Sequence, residues 1–127
     1  MTMTNSVVQG NGTDAYGGGI YVRDLAEAYI TDSSIEDNLG VYGGGLYIND
    51  DAAVVLTGGA VIANGDQTNT GGGGARINLG VLTVDLTDFG EKGTDNSPDD
   101  VFIPGLGQSY TYGVDASFTC DLVVGCL

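Results

Sequence analysis

The phrase YGGGIYV at residues 16–22 returns as YGGGLYI at residues 42–48, every difference an aliphatic exchange, and a degraded GGGGARI follows at 71–77. A fixed period of this length constrains the fold more than any composition does, because a unit so short has to be one layer of a stack. The stretch before each phrase repeats as well: MTNSVVQGN at 3–11, ITDSSIEDN at 30–38 and LTGGAVIAN at 56–64 each close on Asn. Asn11 and Asn38 lie 27 residues apart, and Asn38 and Asn64 lie 26 apart. Three repeats are clear, and a fourth opens at LTVDLTDFG and loses its second half.

Within each repeat the apolar residues alternate over short runs broken by Gly, Asn and Asp, which is the pattern of short strands with tight turns. Nothing reads as a helix of useful length. Met3, Ile30, Leu56 and Leu82 share one phase, and Val8, Ile35 and Val61 share another. A single repeat has no second layer to cover these residues, so each coil has to stack on the last at about 4.8 Å, strand on parallel strand. The expected fold is all-β, a right-handed parallel β-helix of about four coils with an irregular C-terminal cap. Residues 1–90 form the repeats, and residues 91–127 form the remnant of the last coil and the cap.

Stacking explains the repeated phrase, since residue 42 then sits over residue 16 and the glycines recur wherever a turn admits no side chain. Asn11, Asn38 and Asn64 are expected to form a ladder of amide hydrogen bonds. Tyr21 and Tyr47, which alternate with the buried aliphatics, are expected to point outward and stack. Thr4, Thr31, Thr57 and Thr83 form a single file, one Thr per coil.

Seventeen acidic residues against three basic ones give a net charge of -14, which disfavours nucleic acid and anionic membrane as partners. No apolar run is long enough for a membrane span. The chain has no His and no Trp, so the usual imidazole base and the strongest sugar-stacking ring are missing. Cys120 and Cys126 are close in sequence and too few for a zinc site, so the expectation is a disulfide and an oxidising compartment, extracellular or at the cell surface. The opening MTMTNSVVQGN has neither a basic nor an apolar leader region, so any export signal is expected upstream of it.

The GGGIY and GGGLY phrases, with their NS or DS strands and terminal Asn, resemble the GGxI and xxxN repeats of polymorphic outer-membrane proteins. They are similar more broadly to the right-handed parallel β-helix proteins of bacterial surfaces. The resemblance covers roughly residues 1–90. It implies a secreted or surface-displayed solenoid acting as an adhesin segment or stalk.

Polysaccharide lyases and hydrolases share this architecture, and they need clustered acids, often with calcium, and for a lyase a basic residue beside the abstracted proton. Arg23 and Arg76 are the only basic residues in the coils and occupy different repeat positions, so no catalytic residue is assigned. In GTDNSPDDV at 93–101, Asp95, Asn96, Asp99 and Asp100 are candidate calcium ligands, although the spacing of a calcium loop is lacking. Calcium-dependent binding of a surface glycan along Tyr21 and Tyr47 is a further possibility.

The ends of a solenoid expose strand edges and core residues unless they are capped. Met3 and Val8 are already in ladder phase in the first repeat, so they are the expected stacking interface. What covers them is either preceding repeats of a longer chain or another copy added end to end, the second giving a head-to-tail filament.

Overall fold

In the computed structural model, residues 1–69, 71–90 and 93–104 are described, together with the backbone of 109–112. The fold is an all-β parallel solenoid of about four turns. The first coil carries β1 (Thr2–Thr4), β2 (Val7–Gln9) and β3 (Ile20–Val22), and the second β4 (Glu27–Thr31), β5 (Ser34–Glu36) and β6 (Leu39–Gly40). The long β7 (Leu46–Thr57) closes the second coil and opens the third, which continues through β8 (Ala60–Ile62) and β9 (Gly65–Asp66). β10 (Ala75–Asp85) likewise closes the third and opens the fourth, which returns as β11 (Val101–Phe102) before β12 (Ser109–Tyr112) begins another. Every pairing is parallel, and the sheets run β1-β4-β7-β10, β2-β5-β8 and β6-β9.

Period-two alternation places one column of side chains inside for each inward phase. Met3, Ile30, Leu56 and Val84 stack in one column, Ala28, Val54 and Leu82 in the next, and Ile20, Leu46, Ala75 and Val101 across the interior. Val8, Ile35 and Val61 line the third side, with Phe89 in the coil below. Fully burying one such aliphatic side chain contributes about 1.5–3 kcal/mol, so the core columns dominate the stability of each coil.

The corners are columns too. Asn5, Asp32, Gly58 and Leu86 follow equivalent strands, and all four have positive φ, between 46° and 67°. Gly17, Gly43 and Gly72 form a second left-handed column, at 61°, 69° and 80°. Asn, Asp and Gly tolerate that region best, which is why these residue types punctuate the repeat. The third glycine of each phrase serves closeness instead: a Cβ on Gly45 would lie 2.5 Å from the Gly74 carbonyl oxygen of the next coil.

The register differs from the sequence expectation in the fourth coil. Leu82 pairs with Val54 and Thr83 with Val55, so Val84 carries the Leu56 column and Asp85 sits on Thr57. The cause is a longer third coil: Asn49 and Asn78 are 29 residues apart, and a bulge between Asn78 and Gly80 recovers only one residue of the excess. The stack also runs past residue 90, since Val101 and Phe102 pair with Ala75 and Arg76, and β12 pairs with β10. Cys120 and Cys126, with the rest of the expected cap, lie outside the described residues.

Candidate functional site

Two surfaces bring chemistry-bearing residues together: the open edge of the first coil with its amide ladder, and an aromatic strip on one side.

The ladder extends one rung further than the sequence suggests. Asn11 N and Nδ2 both donate to Asn38 Oδ1, at 3.0 and 3.1 Å. Asn38 repeats both bonds to Asn64 Oδ1, and Asn64 repeats them to Asn96 Oδ1. Each inner amide also donates backward, Asn38 to the Val8 carbonyl and Asn64 to the Ile35 carbonyl. Asn38, Asn64 and Asn96 are buried and Asn11 is exposed. Asn96 escapes a search at the repeat spacing because it lies 32 residues beyond Asn64.

This placement puts two of the four candidate calcium ligands of the 93–101 loop, Asn96 and Asp100, in the ladder. Asn96 Oδ1 is occupied by the two bonds from Asn64, and its Nδ2 donates to the carbonyls of Val61 and Phe89 and to Asp100 Oδ1. Asn96 and Asp100 are buried ladder members, whereas Asp95 is exposed and Asp99 half-buried. Among the described residues no three His, Cys, Asp or Glu side chains are grouped to hold a metal ion.

The first coil offers its outer edge to solvent. Met3 and Val8 are only partly buried, although they pack against the core, while the next rungs Ile30 and Ile35 are 2% and 0% exposed. The chain start is held down here, the Met1 amino group donating to the Glu27 carbonyl at 2.6 Å.

On the outer face, Tyr21, Tyr47, Arg76 and Phe102 occupy one row, and Tyr16 pairs with Tyr42 in the adjacent one. Tyr16 stacks on Tyr42 at 5.5 Å and lies 4.9 Å from Tyr47. Arg76 sits 4.8 Å from both the Tyr42 and Phe102 rings, and Arg23 lies near Tyr21 while pairing with Asp24 at 3.0 Å. Tyr21 is exposed, but Tyr47 is 5% exposed. Tyr47 leaves the coil and meets Tyr21 edge-on at 5.2 Å, but its ring is covered by Tyr16 and its neighbours and does not face solvent as Tyr21 does. Sequence reasoning missed Tyr16 and Tyr42, although both open the repeated phrase.

Burial pushes the Tyr47 phenol above its ordinary value of 10.0, against the opposing charge of Arg76; Tyr16, Tyr21 and Asp50 add to the rise. A raised folded value means that this contribution to stability is complete below about pH 10 and is lost as pH rises through the folded value. Phenolate titration by ultraviolet absorbance is expected to show late titration of Tyr47 and also of Tyr29, whose phenol is raised by the hydrogen bond it donates to Glu27 and by the charge of that carboxylate. In a Tyr29→Phe background, Tyr47→Phe is expected to remove the remaining late phase and Tyr16→Ala to move it to lower pH; a late phase that survives both Phe substitutions would refute the assignment.

No family model, curated protein or solved structure matches this chain. Among the described residues no helix is long and apolar enough to cross a membrane.

Proposed function

We propose that the chain is a structural solenoid unit of an extracellular stalk, adhesin segment or filament, its first-coil edge stacking against a further coil that belongs to preceding repeats of a longer chain or to another copy. The observation that carries this reading is the half-covered state of Met3 and Val8 beside fully covered equivalents one coil below. Completing that layer would bury two aliphatic side chains and pair a strand edge that otherwise faces water. The cysteine pair in the sequence supports the extracellular setting.

The test is to complete the layer deliberately. A second copy of residues 27–53, fused ahead of Met1, brings Ile30, Ile35 and Asn38 of the copy 26 residues before Met3, Val8 and Asn11, the spacing that separates Asn38 from Asn64. The melting temperature is expected to rise by about 2–4 °C or more, corresponding to a gain of at least roughly 1 kcal/mol. Val8→Asp in the fused chain is expected to abolish the rise. A fused coil that leaves the melting temperature unchanged would remove the first-coil edge as the working surface.

The aromatic strip supports a second reading, glycan binding. Tyr16 and Tyr21 present half-exposed rings, and two of the three basic residues of the chain flank the strip.

A further inference from the structure

The aromatic strip places four phenols in contact across two coils. Tyr16 and Tyr21 flank the tight turn at 17–19 in the first coil, and parallel register sets Tyr42 against Tyr16 and Tyr47 against Tyr21 in the second. Tyr16 is the hub: its ring centroid lies 4.9 Å from that of Tyr47, 5.5 Å from that of Tyr42 and 5.7 Å from that of Tyr21. A fourth contact joins Tyr21 and Tyr47 at 5.2 Å. The turn holds Tyr16 in place, because Gly17 sits at a φ of 61° and a Cβ on it would meet the Ile20 carbonyl. Tyr16 is 46% exposed, so a reagent in solution reaches it, while Tyr47 is sheltered beside it.

Phenols held this close are suited to a reaction that a lone tyrosine cannot undergo within its own chain, oxidative coupling. Each ring gives up one electron and its hydroxyl proton and becomes a phenoxyl radical whose spin extends onto the two Cε carbons. One Cε of each ring forms the new carbon–carbon bond, and each joined carbon then releases its hydrogen as a proton while the oxygen takes one up, which restores both phenols. Two electrons and two protons leave in all, and hydrogen peroxide, acting through a haem peroxidase, takes them up to become two molecules of water. The joined rings are twisted about the new bond, with centroids only slightly closer than those of Tyr16 and Tyr47. The 33° tilt of this pair already departs from stacking, whereas Tyr16 lies on Tyr42 at 23°. The chain has no Trp to draw the oxidation elsewhere.

We infer that Tyr16 is an oxidative cross-linking site, its ring joined to that of Tyr47 in the next coil by hydrogen peroxide and a haem peroxidase. The bond staples the first coil to the second from outside, where hydrogen bonds and packing otherwise hold them. The assignment stands on the ring contacts and is independent of what stacks on the first-coil edge. Tyr29 is the internal comparison: its hydroxyl donates to Glu27 at 2.9 Å, and its ring meets no other aromatic ring among the described residues.

The test treats the dilute chain with hydrogen peroxide and a haem peroxidase, isolates the monomer by size, and digests it with trypsin after denaturation. Cleavage after Arg23 and Arg76 separates Tyr16 and Tyr21 from Tyr29, Tyr42 and Tyr47. Dityrosine fluorescence is expected in the monomer, with residues 1–23 joined to residues 24–76, a mass two hydrogens below the sum, and fragmentation that places the bond between Tyr16 and Tyr47. Tyr16→Phe and Tyr47→Phe keep the rings but form no phenoxyl radical, and each is expected to lower the yield in the monomer by about fivefold or more. Tyr29→Phe is expected to leave it unchanged, and unfolding in urea before oxidation to lower it as the first two variants do. A monomer without dityrosine, in a mixture where free tyrosine couples, would overturn the inference. So would a yield untouched by Tyr16→Phe, or a bond that forms equally well in the unfolded chain. A bond from Tyr16 to Tyr42 would overturn Tyr47 as the partner and keep Tyr16 as the site.

Discussion

Replacing Asn64 by Ala is expected to lower stability by more than about 3 kcal/mol, while Asn11→Ala is expected to cost under about 1 kcal/mol. The two residues have the same place in the repeat, so the contrast isolates burial. Asn64 Oδ1 is the shared acceptor of Asn38 N and Nδ2, and Asn64 Nδ2 satisfies the Ile35 carbonyl and Asn96 Oδ1. Truncation leaves the Asn38 donors and the Ile35 carbonyl in a site closed to water, and each unsatisfied buried group costs about 1–3 kcal/mol. Asn11→Ala loses only the Nδ2 bonds to Asn38 Oδ1 and the Gln9 carbonyl, at an exposed position where water replaces them, while its backbone N–H still donates to Asn38. Urea unfolding of the two variants beside the parent checks this; equal midpoints for both would mean that the ladder contributes no more inside the stack than at its edge.

That contrast also bears on how much of the molecule was legible in the sequence. The strands, the parallel stacking and the first three rungs could be read because the same residue types return every 26 or 27 positions in the first three coils. Column identity is a local matter there: an Asn below an Asn can only be satisfied by continuing the bonds. Legibility fails where the coil length changes. Leu82 keeps the expected spacing from Leu56 yet belongs beneath Val54, because the glycine-rich stretch after Asn64 lengthens the third coil. Asn96 was visible as an Asn in an acidic loop, and the same residue type fits a calcium ligand and a ladder rung. Only the coil path through Thr87, Phe89 and the turn at 93–94 decides between them, by bringing Asn96 under Asn64.

The burial of Tyr47 was hidden for a different reason. Alternation fixes whether a side chain leaves the coil, and Tyr47 does leave it, between buried Leu46 and Ile48. Whether it then meets water depends on Tyr16, which approaches from a separate row one coil away. Contacts of that kind lie between columns, where periodicity carries no information.

The second large effect is expected at Gly45. A Cβ there would lie 2.5 Å from the Gly74 carbonyl oxygen and 2.9 Å from Asn64 Nδ2, and neither can retreat cheaply. The carbonyl is backbone already engaged by the Leu46 N–H at 2.9 Å, and the amide belongs to a buried rung. Gly45→Ala therefore has to pry the second and third coils apart at the point where ladder and sheet meet, at a cost of about 3 kcal/mol or more. The entropy that Ala removes from the unfolded chain offsets only about 0.4–1 kcal/mol of this. Gly10→Ala is the control: Gly10 has φ of +67° but no atom within 4 Å of the place its methyl group would take, so its cost is the left-handed strain alone, about 1–2 kcal/mol. Thermal unfolding of the two variants separates close packing from backbone angle, and a Gly45→Ala chain as stable as Gly10→Ala would show that the coils give way without loss. If Gly45→Ala is the more damaging, the glycine phrase is kept from coil to coil by the spacing of the stack. A Cβ on Gly18 or Gly19 likewise meets the backbone of the second coil, so the same requirement holds one coil earlier.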